Sequence, residues 1–217
     1  MIERILPDTV VAVEAGDDEG AVALFPEEEA VVARAVERRR REFATGRACA
    51  RRALKRLGGP AGPVLAGNRG EPVWPAGVVG SITHCRGYRG CAVAMATEMA
   101  ALGIDAEPHE PLPDGLVDKV AGPEEMGALT ELAQAESAIA WDRLLFSAKE
   151  SVYKAWYPLT ERWLGFEDAV LTLDPRERTF TARLLVPGPE QAGAEVHGFD
   201  GRWLVADGLV LTAVTVI

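Results

Sequence analysis

The sequence predicts an α+β protein, not a doubly wound parallel sheet. Helical periodicity fills 26–57 and 141–157, while the last fifty residues break into short strand-like runs at 169–173, 179–186, 194–198, 202–206 and 209–217. Asp207-Gly208, between two apolar runs, is the dipeptide of a two-residue hairpin, so these strands form an antiparallel meander.

In chain order, residues 9–14 read as a short strand. Pro26 followed by Glu27, Glu28 and Glu29 makes a favourable first helical turn, with the acids at the positive end of the helix dipole. That helix is expected to reach about Arg41, and a second to span Phe43 to Leu57, stopped by Gly58-Gly59-Pro60. In the second, Ala50, Ala53, Leu54 and Leu57 share an apolar stripe, and Arg47, Arg51 and Lys55 line another face. Those three are either a solvated basic face or a phosphate clamp. Residues 60–77 are too rich in Pro and Gly for regular structure, and Gly67 to Pro75 reads as a rigid, turn-dense loop. Its Trp74 suits either a flat ligand such as a purine or plain packing. Strands follow at 78–85 and 90–97; the first ends in Ser81, Thr83 and His84, small hydroxyls and an imidazole that suit a phosphate or a structural role. Residues 101–107 form another strand. The stretch from 108 to 138 is proline-rich and then polar and helical. Trp141 to Tyr157 is an amphipathic helix, expected to end at Pro158, and Trp163 to Phe166 is an exposed aromatic cluster.

Composition sets limits. The chain has 217 residues, 48% of them hydrophobic and 26% charged, enough for one large or two small cores. No apolar run is long enough for a membrane helix, and the acidic N-terminus does not read as a signal peptide. Cys49, Cys85 and Cys91 have no metal-binding spacing and read as free thiols of a cytoplasmic protein. The net charge of −10 argues against general nucleic-acid binding. Yet 34–56 carries ten Arg/Lys against two Glu, a local charge of +8 that calls for an anionic partner.

The chemistry concentrates in two stretches. On the 101–107 strand, period 2 places Asp105 and Glu107 on one face, and paired carboxylates are tolerable when a cation sits between them. On the 141–157 helix, Leu145, Ala148, Val152 and Ala155 form the core stripe, and Arg143, Ser147, Glu150 and Lys154 lie on a different face. A Glu/Lys pair four apart is by itself an ordinary salt bridge. With a third carboxylate from Glu150, however, the set describes a site for a metal-bound phosphate ester.

The pattern G-I-D-x-E (Gly103, Ile104, Asp105, Glu107), followed by F-x-x-K-E-x-x-x-K (Phe146, Lys149, Glu150, Lys154), resembles the 4′-phosphopantetheinyl transferases. The likeness is to the surfactin-synthetase-activating type, most closely its actinobacterial members, and runs from about Glu28 to Gly208. It implies two similar α/β halves related by a pseudo-twofold, 1–100 and 101–217, with the active site in the cleft between them. It also implies transfer of the 4′-phosphopantetheine arm of coenzyme A to a serine of apo acyl- or peptidyl-carrier proteins. Asp105, Glu107 and Glu150 would bind Mg²⁺, although Mn²⁺ also suits oxygen ligands. Catalysis would rest on Glu150 as proton acceptor, Lys154 as donor to the bridging oxygen, and Asp105. Coenzyme A would be held by Arg39, Arg47, Thr83 and His84 at its phosphates, together with Lys149 and Lys154. Phe146, Tyr153, Trp163 and Leu164 would line a groove for the pantetheine arm. Ala106 stands where some members have a third acid. Ala66 stands where a close relative has a lysine, leaving Arg69 as a candidate adenosine contact. One chain suffices, so a monomer is expected, with no nucleic-acid or membrane partner. Two rivals make different predictions. A metal-dependent phosphoester or nucleotide hydrolase would release phosphate without a protein acceptor, and an RNA-binding module using 34–56 would show salt-sensitive affinity.

Overall fold

The computed structural model describes residues 1–16, 23–191 and 193–217. After a short 3-10 turn at Ile2–Ile5 come β1 (Val11–Ala15), α1 (Pro26–Val32), α2 (Glu37–Leu57), β2 (Leu65–Ala66), β3 (Pro72–Val73), β4 (Val78–Cys85), β5 (Tyr88–Met95) and β6 (Ala101–Pro108). The remainder is α3 (Val117–Val120), α4 (Pro123–Ala135), α5 (Trp141–Thr160), β7 (Ala169–Asp174), β8 (Thr179–Leu184), β9 (Glu190–Gln191), β10 (Ala194–Glu195), β11 (Gly198–Ala206) and β12 (Leu209–Val216). Among the described residues no helix is long and apolar enough to cross a membrane.

The architecture is α+β, and its two halves repeat one topology. A first strand leads into a long helix and later into a two-residue hairpin, whose last strand returns antiparallel beside the first. In one half the order is β1-β5-β4; in the other it is β6-β12-β11-β8-β7. Each long helix packs on the first and last strands of its own half, α2 on β1 and β5 and α5 on β6 and β12. The hairpins match in detail: Cys85 pairs with Tyr88 across Arg86-Gly87, and Ala206 with Leu209 across Asp207-Gly208. Asp207 and Gly208 have φ of 50° and 75°, the left-handed conformation that such a turn requires.

Among the described residues no backbone ladder joins the two sheets. Where β4 faces β6, the Ser81 hydroxyl accepts the Ile104 N–H at 3.1 Å and the Thr83 hydroxyl accepts the Ala106 N–H at 3.0 Å. Beneath this seam lies a shared core in which Ile2, Ile5, Tyr88 and Ala94 meet Leu102, Ile104 and Leu211.

Several boundaries differ from expectation. The helix begun at Pro26 stops at Val32, and 37–57 is one continuous helix through Glu42-Phe43. The fold, not a breaker residue, decides this. Buried Glu28 accepts the N–H groups of Phe25 and Val64 and pairs with Arg51 at 2.7 Å, which fixes where α1 crosses α2. α5 runs past Pro158 to Thr160 and closes on left-handed Glu161, φ 52°. Pro158 removes one donor and crowds the Lys154 carbonyl, and the helix ends within two residues of it. The expected 194–198 and 202–206 strands become the short β10 and the continuous β11.

Candidate active site

The centre of the site is β6, with α5 lying across it. Gly103 makes this possible: a Cβ there would stand 2.0 Å from the Ser151 carbonyl oxygen and 2.7 Å from the Ala155 nitrogen. The helix backbone therefore rests on the strand at a position that only glycine allows. Leu145, Ala148, Val152 and Ala155 are fully buried, as the periodicity predicts.

Asp105 and Glu107 do share the face of β6 toward α5. Asp105 is 4% exposed. Its Oδ1 accepts from Lys154 Nζ at 2.7 Å and from the Thr83 hydroxyl at 3.1 Å, while its Oδ2 is buried with no hydrogen-bond partner among the described residues. Lys154 also donates to the Ile104 carbonyl at 3.1 Å. Glu107 pairs with Arg143 at 2.9 Å. Burial, and then the neighbouring Asp105 charge, push its carboxyl up to about 7 against the pull of Arg143. Glu150 is likewise raised, chiefly by burial, with Lys154 pulling it down and Asp105 pushing it up.

Two cavities meet at Glu150 and Tyr153. One, of about 200 Å³, lies between the halves and is lined by Arg69, Glu71, Trp74, Ser81, Lys154 and Tyr157. Trp74 packs against Gly80, where a Cβ would stand 2.9 Å from its ring, and donates to the Gly80 carbonyl at 2.9 Å. The other, of about 220 Å³, is lined mostly by apolar side chains, Leu164, Phe166, Ala169 and Leu171, along with Lys149 and Trp163. Trp163 is 63% exposed and bridges the two, with Tyr153 at 5.1 Å and the Arg69 guanidinium at 5.7 Å from its ring.

The cationic end is built on α2. Arg39 Nη1 is 2.6 Å from His84 Nε2. A guanidinium only donates, so Nε2 accepts and the neutral ring carries its proton on Nδ1. Burial, with Arg39 and other cations nearby, lowers His84 to about 4. Arg47 is buried over the Phe43 ring at 4.3 Å; its Nη2 reaches the Leu65 carbonyl at 3.4 Å and its Nε has no hydrogen-bond partner among the described residues. Burial lowers Arg47 to about 10, which leaves it charged.

The structure thus brings Glu150, Tyr153, Lys154, Arg69, Trp163 and Leu164 to the walls of these two cavities. Asp105 stands behind Lys154, and Glu107 is held by Arg143, so neither carboxylate lines a cavity itself. Five side chains are used differently from the sequence expectation. Thr83 is buried and spent on the seam. Lys149 is buried, and its three N–H groups are taken by Glu125 Oε2 at 2.8 Å, the Phe166 carbonyl at 2.7 Å and the Ala169 carbonyl at 3.0 Å. Arg51 is tied to Glu28 rather than forming a clamp with Arg47. Ser147 leaves the polar face and bonds Thr212 in the core at 3.0 Å. Phe146 packs on Phe166, one layer behind the apolar cavity. Arg143, which holds Glu107, is a site residue that its place on the polar face does not by itself reveal; its spacing of seven from Glu150, two helical turns, is the available signal.

Comparison with known proteins agrees with this geometry. The model of the 4′-phosphopantetheinyl transferase N-terminal domain matches residues 27–94, and that of the 4′-phosphopantetheinyl transferase superfamily matches 101–212. The chain is 57% identical to the 4′-phosphopantetheinyl transferase Svp of Streptomyces mobaraensis, over 100% of this chain and 89% of that protein. It is 49% identical to Npt of Nocardia iowensis, over 99% of each. It is 45% identical to PptT of Mycobacterium tuberculosis, over 99% of this chain and 97% of that one. A strand carrying G-I-D-x-E under a helix carrying K-E-x-x-x-K, matched from end to end, makes this chain a member of the 4′-phosphopantetheinyl transferase superfamily.

Proposed function

We propose that this chain moves the 4′-phosphopantetheine arm of coenzyme A onto a serine hydroxyl of an apo acyl- or peptidyl-carrier protein, releasing adenosine 3′,5′-bisphosphate. The observation that carries the chemistry is Asp105, whose second carboxylate oxygen is buried without a donor. Such an oxygen is costly unless a cation reaches it. With Glu107 on the same face and Glu150 opposite, the hard oxygen donors suit Mg²⁺, and Mn²⁺ as well. Among the described residues no three acidic, His or Cys side chains close around an ion by themselves, so substrate phosphates and water would complete the coordination. Asp105, Glu107 and Glu150 would hold the ion, and its charge would offset negative charge on the pyrophosphate.

The chain's own groups then divide the work. Glu150 takes the serine proton, and its burial makes it a stronger base than a solvated carboxylate. The serine oxygen bonds to the phosphorus that carries the pantetheine arm. The bridging P–O bond breaks, and its electron pair leaves on the 5′-phosphate oxygen of adenosine 3′,5′-bisphosphate. Lys154, oriented by Asp105, donates to that oxygen. Arg39, Arg47 and His84 hold the 3′-phosphate, the uncommitted Arg47 Nε being suited to an anion. Adenosine takes the cavity of Arg69 and Trp74, and the pantetheine arm takes the apolar one along Tyr153, Trp163 and Leu164. Residues 1–100 thus act as the nucleotide-holding unit and 101–217 as the proton- and metal-handling unit of a cytoplasmic monomer.

The test is intact-mass spectrometry of an apo carrier protein after incubation with enzyme, coenzyme A and Mg²⁺. One phosphopantetheine is expected to be added, and chelation is expected to prevent it; intact coenzyme A across several carrier classes would overturn the reading. Glu150→Gln is expected to lower turnover by at least about 100-fold with melting unchanged.

A further inference from the structure

Glu125 belongs to neither motif, yet it is among the most buried charges in the protein, 3% exposed. It sits in the first turn of α4. One oxygen accepts the Gly122 N–H and Lys149 Nζ, both at 2.8 Å, and the other accepts the Leu171 N–H at 2.8 Å. Lys149, 5% exposed, spends its two remaining protons on the Phe166 and Ala169 carbonyls. A single ion pair thus ties together the start of α4, the 166–169 turn, the start of β7 and the helix position next to Glu150. Lys149, Phe166, Ala169 and Leu171, all linked to or part of this pair, line the apolar cavity of about 220 Å³ that Glu150 also lines.

Stability alone does not account for the arrangement. A buried ion pair can often be replaced by apolar side chains without loss, whereas five directed hydrogen bonds fix positions that apolar contacts leave loose. An ammonium with every donor filled also has nothing to offer a phosphate unless one of these bonds is given up.

We infer that Glu125 is a positioning residue for the transfer reaction, acting through Lys149 to hold the wall of the pantetheine cavity in register with Glu150. The lysine of the K-E pair therefore serves the arm of the substrate, not its phosphates. The inference rests on the assignment of the arm to this cavity.

The experiment compares two ligands on the full-length enzyme: coenzyme A, and adenosine 3′-phosphate 5′-diphosphate, which carries the phosphates without the arm. Lys149→Met alone strands the Glu125 charge and threatens folding, so the informative variant is Glu125→Leu combined with Lys149→Met. The expected result is a coenzyme A KM raised about tenfold, with affinity for the arm-less nucleotide within about twofold of the parent. Equal weakening of both ligands would make Lys149 a phosphate contact and overturn the inference. A folded double variant with unchanged KM would also overturn it, leaving the pair a purely structural strut. Should the double variant not fold, Glu125→Gln reads the same split, because it keeps an oxygen for Leu171 and loses the charge that orients Lys149. Ala169→Phe, which fills the cavity, separates the two levels of the argument. If it leaves the coenzyme A KM unchanged, the arm lies elsewhere and the cavity assignment fails. If it raises KM while the pair variants do not, only the positioning role fails.

Discussion

Asp105 and His84 show how the meaning of a side chain depends on what approaches it. Asp105 stands on the predicted face of its strand, but only the fold supplies Lys154 and Thr83 to one oxygen and leaves the other bare. His84 is held neutral by burial and by Arg39. Its folded value of about 4 lies below the ordinary 6.5, so the unfolded chain takes up this proton more readily as pH falls. Stability is therefore expected to drop between pH 6.5 and 4, and to lose no more from this group below that. Chemical denaturation across that range should show the slope, and His84→Gln, which keeps a neutral acceptor for Arg39, should flatten it. A slope unchanged in the variant would mean that His84 is not the responsible group. Residue types and faces were legible here, but their allocation was not: Thr83, Lys149 and Arg51 carry the right groups for phosphate and are each spent on protein partners.

At the scale of elements, the decisive contact is α5 on β6 at Gly103. The periodicity of α5 and its buried stripe are legible because every turn repeats the pattern, and the 101–107 strand is legible from its apolar run. That the two must touch backbone to backbone is not, since a glycine in a strand has several possible reasons. Gly103→Ala is expected to push the helix bearing Glu150 and Lys154 away from Asp105. Overpacking of this kind costs about 1–3 kcal/mol, or roughly 3–10 °C in melting temperature for a chain of this size. Scanning calorimetry and turnover should fall together; an active Gly103→Ala enzyme of parental stability would sink this account of the motif's glycine. The break between α1 and α2 teaches the converse. No Gly or Pro marks 33–36, and buried Glu28, bonded to Arg51 and Val64, sets the crossing.

Over the whole molecule, the halves are joined by a shared core and by a seam of two hydroxyls. Ser81 and Thr83 satisfy the Ile104 and Ala106 N–H groups on either side of Asp105. Removing both hydroxyls leaves two buried donors unpaired, at about 1–3 kcal/mol each. Ser81→Ala combined with Thr83→Val is therefore expected to raise amide exchange specifically along β4 and β6 and to lower turnover, with far-ultraviolet circular dichroism unchanged. Exchange unchanged on both strands would show that the core alone holds the seam. The sequence by itself determined the α+β class, the hairpin at Asp207-Gly208, the amphipathic helix and the residue types of the site, because these depend on periodicity and local backbone preference. Tertiary structure alone decided that Glu125 anchors Lys149, that hydroxyls stitch the sheets, and that one oxygen of Asp105 is left bare. Each of these is a long-range contact, set by which surfaces meet in space rather than by any local run of residues.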